Sequence, residues 1–242
     1  MIKNPNQIVR IFFYILVLMS GTKQQDLKKN LLISTVFAVA MAYLESTVVV
    51  YLREIFYPHG FKFPLIDIPP DIYLIEVGRE AATILMLWAV SGILQRNRRE
   101  WFAYFAYNFA VWDIWYYLWL KIMLGWPASM LDWDVLFLIP LPWISPVLAP
   151  VLVSSALIFS AVVILTFEST GHPLNLTIRD WVLEILAGII IIGSFLTQTE
   201  VIAAKQVPQS YPWGIFTLGM ILGLAVFIFR LRERLKLGSD PG

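Results

Sequence analysis

No cysteine occurs among the 242 residues. Disulfides, thiolate nucleophiles and cysteine-ligated zinc or iron–sulfur centres are therefore excluded. Histidine is nearly as scarce: His59 and His172 are the two, and both fall in predicted loops. Neither can serve as a haem ligand inside a bundle or as the base of a serine hydrolase at membrane depth. Charge is sparse as well. Only 14% of the residues are Asp, Glu, Lys or Arg, against about 25% in a soluble domain. The net charge of +1 and the clustering of basic residues at helix ends give no patch for nucleic acid. There is no internal repeat, no low-complexity tract and no sign of a soluble domain.

What is there is apolar. Hydrophobic residues make up 59% of the chain, in runs near the ~20 residues that cross a bilayer core. The pattern predicts an all-α polytopic membrane bundle of about six spanning helices with one proline-broken or re-entrant segment. Residues 1–30 read as an interfacial N-terminal segment on the cytoplasmic side. In it the run Ile11–Met19 is too short to span and has no small-residue cleavage site behind it. Residues 31–230 form the transmembrane domain and 231–242 a cytoplasmic tail. The first span is Leu31–Leu52, with Ala38, Ala42 and Ser46 at four-residue spacing to admit a close neighbour. The loop Glu54–Pro70 is broken by prolines and rich in Phe and Tyr, so it is expected at the interface or folded back as a lid.

The second span, Asp71–Leu94, carries Glu76, Arg79 and Glu80 on one helical face. A charge in mid-membrane costs about 2.5–3.5 kcal/mol on insertion scales, so it normally points into the protein and is paired. The third span, Trp101–Gly125, has a small face of Ala103, Ala106, Ala110, Asp113, Tyr117 and Lys121. Opposite lie Trp101, Phe105, Trp112, Tyr116 and Trp119, expected to meet lipid, a partner or a lipophilic ligand. Pro140, Pro142, Pro146 and Pro150 break Val135–Pro150, because proline removes a backbone donor and clashes with the preceding turn. Such backbone survives in lipid only when buried in protein or lining a cavity. The helix Val151–Phe167 follows, then spans Trp181–Thr197 and Trp213–Phe229, the last with Gly219-x-x-x-Gly223.

Orientation follows from lysine and arginine. Lys3, Arg10, Lys23, Lys28 and Lys29 precede the first span, and Arg96, Arg98 and Arg99 follow the second. Arg179 lies between the fourth and fifth, and Arg230, Arg232, Arg234 and Lys236 end the sixth. The opposite loops hold only Arg53, Lys62 and Lys205. Both termini are expected in the cytoplasm. At 1.5 Å per residue, Glu45, Glu80 and Asp113 then share one level roughly 12 Å below the outer surface, beside Arg79. They are the candidate catalytic carboxyls. Glu76, Arg79, Tyr117 and Trp143 are the candidate substrate-binding residues. No metal-ligand set is predicted and no cofactor is implied. Arg79 with Glu76 or Asp113 also reads as a structural ion pair, and Glu54, Asp67, Asp132 and Asp134 read as solvated or interfacial.

In the strings YLREIFYPHGFKFP, VGREAATILML and VWDIWYYLWLKIMLGWPASMLDWDVLFLIPLPWISPVLAPVLVS, over about residues 40–155, the chain resembles a family of bacterial multi-pass inner-membrane proteins with no assigned activity. The resemblance implies an inner-membrane location. It sets an acidic residue where His59 stands, which lowers the interest of His59. Three function classes stay open. The first is an intramembrane protein binding or transforming an isoprenoid, carotenoid, quinone or lipid by acid–base chemistry, with aromatic walls for cationic intermediates. The second is a small proton-coupled transporter. The third is a structural or cofactor-holding subunit of a larger membrane complex. The partners expected are the bilayer and a lipophilic small molecule, with a homo-oligomer or membrane-complex partner open. The first class is favoured, because a single polar layer near one face makes a pocket more readily than a pathway.

Overall fold

A computed structural model describes residues 22–237, and the short N-terminal apolar run lies outside the described residues. The elements are α1 (Thr22–Phe56), α2 (Pro70–Leu94), α3 (Arg98–Leu124), a hairpin of β1 (Trp133–Phe137) and β2 (Trp143–Pro146), α4 (Leu148–Ser169), α5 (Ile178–Leu196), α6 (Thr199–Ala203) and α7 (Trp213–Leu237). All the helices but the five-residue α6 are long, and the all-α bundle predicted is the architecture found, with one short hairpin added. Five of them, α1, α2, α4, α5 and α7, are long and apolar enough to cross a membrane. Leu32, Val36, Leu85, Ile93, Ile185 and Ile221 stand exposed on their outer faces, as lipid-facing residues do. The protein is an integral, multi-pass membrane protein. α3 is more polar, but its 27 residues reach about 40 Å, and it is buried at intervals from Glu100 to Leu120.

Local chemistry sets the boundaries. Asn97 caps α3 by accepting from the N–H groups of Arg99 at 2.9 Å and Glu100 at 3.0 Å, and Gly125, at φ +69°, ends it. Thr177 and Asp180 cap each other at the start of α5. Pro70 opens α2, where no backbone donor is needed. α1 begins at Thr22 and α7 runs to Leu237, so both helices pass the boundaries expected at residues 31 and 230.

The helices alternate in direction. The turn between α2 and α3, the loop between α4 and α5 and both described termini lie at one end, here the tail end. The hairpin marks the other. α3 is the centre. Its small face packs on α4, with Ala103 and Ala106 beside Ala161 and Leu165. Much of its aromatic face, expected to meet lipid, a partner or a lipophilic ligand, packs on α1. Trp112, with Phe105, Tyr116 and Trp119, covers Ala38, Met41 and Ala42 of α1. The small stripe on α1 exists to receive these rings, and Trp119 Nε1 donates to the Val39 carbonyl at 3.1 Å. Asn108, on the same side, donates to Ser91 Oγ of α2 at 2.9 Å.

The proline-broken segment is an antiparallel hairpin rather than a distorted helix. Asp134 pairs with Ser145, Val135 with Ile144 and Phe137 with Trp143. Pro140 and Pro142 fall in the tip and Pro146 at a strand end, where a missing donor costs least. Ile144 and Val147 are fully buried, so the non-helical backbone is enclosed by protein.

α5 and α7 pair closely. A Cβ at Gly219 would stand 2.7 Å from Ile191 Cγ1 and 3.0 Å from the Ala187 carbonyl oxygen. This pair joins the rest at two places. Near the tail end Phe227 and Leu231 pack on Val163 and Phe167 of α4. At the hairpin end Phe195, Tyr211 and Phe216 pack on Ala149, Trp133 and Trp143. A cleft remains between the two joints.

Candidate functional site

α2 presents Glu76, Glu80, Thr83, Leu87 and Ser91 as its buried face. These positions recur every three or four residues and so line one side of the helix. The first three meet α1, α3 and the hairpin around a cavity of about 170 Å³. Five carboxylic residues line it, Glu45, Glu76, Glu80, Asp113 and Asp134, together with Arg53 and Arg79. Trp112, Tyr116 and Tyr117 supply aromatic wall, and Leu65, Ile66 and Ile68 of the 57–69 loop supply roof.

The seven charged groups are unequal. Arg79 donates through Nε and Nη2 to Glu76 Oε2 at 3.0 and 2.8 Å, and its Nη1 pairs with Glu45 Oε2. The other Glu45 oxygen accepts from Thr83 Oγ1. One arginine thus holds two acids from two helices. Arg53 Nη2 donates to Asp134 Oδ1 at 3.2 Å. Its guanidinium lies between the rings of Phe61, at 4.2 Å, and Trp126, at 3.8 Å. Desolvated stacking of this kind is worth about 2 kcal/mol. Glu80 and Asp113 make no ion pair among the described residues. Glu80 Oε2 accepts the Leu138 N–H of the hairpin at 2.8 Å, and Asp113 Oδ2 accepts from Ser154 Oγ of α4 at 2.8 Å. Each keeps a second oxygen with no hydrogen bond among the described residues, on groups 8% exposed.

The roof is tied down at several points. Tyr57 Oη accepts the Ile66 N–H at 2.9 Å. Burial raises the Tyr57 phenol above its ordinary pKa, against the Ile66 bond and the Arg53 charge, so it stays neutral. Lys205 pairs with Asp67 at 2.5 Å across the surface. His59 is exposed and does not line the cavity.

Six of the seven predicted site residues, Glu45, Glu76, Arg79, Glu80, Asp113 and Tyr117, come together in this chamber. Trp143 does not. It lines the cleft of about 500 Å³ between α3, α4, α5 and α7 and packs against Phe195 with ring centres 6.0 Å apart. Asp113 lines both spaces. Asp134, read from sequence as solvated, is 2% exposed, because the hairpin carries it inward onto Arg53. Arg53, Thr83 and the Leu138 N–H were missed as well. Thr83 was within reach, since it continues the Glu76–Glu80 face. The pairing of Arg53 with Asp134 joins residues 81 apart, and nothing local announces it. Comparison with family models, with curated proteins and with solved structures finds no match to this chain.

Proposed function

We propose that the protein binds a lipophilic substrate, an isoprenoid, carotenoid, quinone or lipid, with its polar end in the carboxylate chamber, and acts on it by proton transfer. One observation carries the reading: Glu80 and Asp113 are buried carboxyls with no ion pair among the described residues, facing one cavity with aromatic walls. Proton transfer needs a positioned acid or base within hydrogen-bond reach of the reacting group, and aromatic faces stabilise positive charge that develops there. Glu80 and Asp113 are the proton-transfer residues. Glu45 and Glu76 hold Arg79 and position the chamber wall. The lysine and arginine distribution supports a chamber in the outer leaflet with both termini cytoplasmic, and the sequence resemblance supports a bacterial inner membrane. Reporter fusions at Asn97 and Gly242 should read cytoplasmic, and fusions at Gly60 and Ala128 external.

The direct test is native mass spectrometry of protein extracted in mild nonionic detergent, followed by identification of the lipophile that comes with it. That molecule should be converted by the native protein and left unconverted by Glu80→Gln and Asp113→Asn, both of which should melt with the native protein. Full conversion by the double variant would remove the acid–base role.

A further inference from the structure

The cleft beside the chamber is chemically its opposite. It measures about 500 Å³, within the range of roughly 300–1,000 Å³ usual for ligand cavities. Its walls are Leu157, Ile164, Ile191, Ile192 and Phe195 among other apolar residues, and its few polar members include Asp113, Ser154 and Glu184. Chamber and cleft are neighbours, because Asp113, Leu136 and Phe137 line both. The Ser154–Asp113 bond fixes the carboxyl at that border. Gly188, on the α5 wall, has nothing within 4 Å of where a Cβ would stand. The space is bounded by backbone at that point.

We infer that the cleft houses the hydrocarbon chain of the molecule whose polar end sits in the chamber, and that this molecule has one chain of about fifteen carbons. The inference rests on the lipophilic-substrate reading and narrows it. A methylene fills about the volume of a water molecule, ~30 Å³, so the cleft takes roughly 17 carbons. That suits a three-unit isoprenoid or a fatty alcohol. The paired chains of a glycerolipid or the full length of a carotenoid would extend beyond it. The polarity of the ligand fits too: a one-chain amphiphile places its hydroxyl or carbonyl at Asp113 and its chain among the apolar walls, so its own polar group is not left unpaired in hydrocarbon.

The test uses two probes with the same hydroxyl head, hexadecanol with one chain and 1,2-dihexadecylglycerol with two. The full-length protein in nonionic detergent should bind hexadecanol one to one and bind the two-chain probe at least tenfold more weakly. Gly188→Phe places a ring in open cleft space, so it should lose tenfold or more in hexadecanol affinity at an unchanged melting temperature. Ala156→Phe repeats the test from the α4 wall. Hexadecanol with a diazirine at its chain end needs no variant, and should label native peptides containing Gly188 or Ala156. Labels confined to chamber residues would overturn the inference, as would equal affinity for the two-chain probe. Binding that emerges only after removal of residues 2–21 would make the chain's own first segment the occupant, and would overturn it too. If Gly188→Phe binds normally while the Glu80→Gln/Asp113→Asn variant does not, the cleft assignment fails and the chamber reading stands. If neither variant alters binding, both fail.

Discussion

The two ends of the bundle use the same residues differently. At the tail end Glu100 and Glu168 each meet an arginine that reaches water. Glu100 is met by Arg96, whose side chain is 62% exposed, and Glu168 by Arg99, 47% exposed. Asp180 binds Arg230 at 2.6 Å, but that side chain is only 22% exposed, and half-buried Glu184 has no arginine among the described residues. At the chamber the acids outnumber the arginines, and the arginines are themselves enclosed, Arg53 at 8% and Arg79 at 21% side-chain exposure. Taking charge out of water is costly, and the cost is offset only by close pairing and further hydrogen bonds. For Glu100 and Glu168 the tail end keeps that cost small by staying wet. The chamber meets it for Glu45 and Glu76, meets it only in part for Asp134, and leaves it unmet by any cation among the described residues for Glu80 and Asp113. An arrangement that served stability alone would resemble the Glu100 and Glu168 pairs.

The strongest way to break this contrast is Arg79→Ala. It strands Glu45 and Glu76 together, and removing one partner of a buried pair typically costs about 3–5 kcal/mol. Little folded protein should accumulate in the membrane, and what does should melt well below the native protein in a detergent thermal scan. A near-native melt would mean that the chamber is as wet as the tail end. A smaller effect is expected from Phe61→Ala, which removes one of the two rings against the Arg53 guanidinium. The loss should be on the order of 1–2 kcal/mol, since Trp126 and Asp134 remain. The roof should loosen with it, raising the labelling of a cysteine placed at Glu80 by a polar thiol reagent. No increase in labelling would show that the roof is held elsewhere.

These two residues also mark how far the sequence could be read. Arg79 was legible because its neighbours on α2 recur at helical spacing, and a charge within an apolar run demands a partner. The shared depth of Glu45, Glu80 and Asp113 followed from counting residues along straight helices. Phe61 and Asp134 were not legible. Their roles depend on a loop and a hairpin folding back over the helix ends, and backbone of that kind has no period to detect. The four prolines announced that Val135–Pro150 is irregular, yet proline limits conformation without choosing one. The hairpin was chosen by tertiary contacts: the Leu138 N–H on Glu80, the Pro142 carbonyl accepting from Thr199, and Ile144 buried between helices. That α1 would take up much of the α3 aromatic face was not legible for a related reason. Bulk on one side and small residues on the other say that two faces differ, not which neighbour each one meets.

The smallest effect should come from the tail end, and it sharpens the comparison most cleanly. Arg96→Ala removes the guanidinium that donates to Glu100 through Nε at 3.0 Å and Nη2 at 2.6 Å. By count of bonds this resembles Arg79 on Glu76. By surroundings it does not, since the Arg96 side chain is largely in water. Glu100 also keeps the backbone N–H of residue 96 at 2.7 Å, which alanine supplies equally well, and it stays in the first turn of α3, where the helix dipole favours a carboxylate. Exposed ion pairs are worth about 0–1 kcal/mol and are screened by salt. The melting temperature should therefore fall slightly at low ionic strength and coincide with the native value at high salt. A drop as large as that of Arg79→Ala, persisting in salt, would show that position along the bundle does not separate the two kinds of charge, and Glu80 and Asp113 would lose their distinction as the pair left free to work.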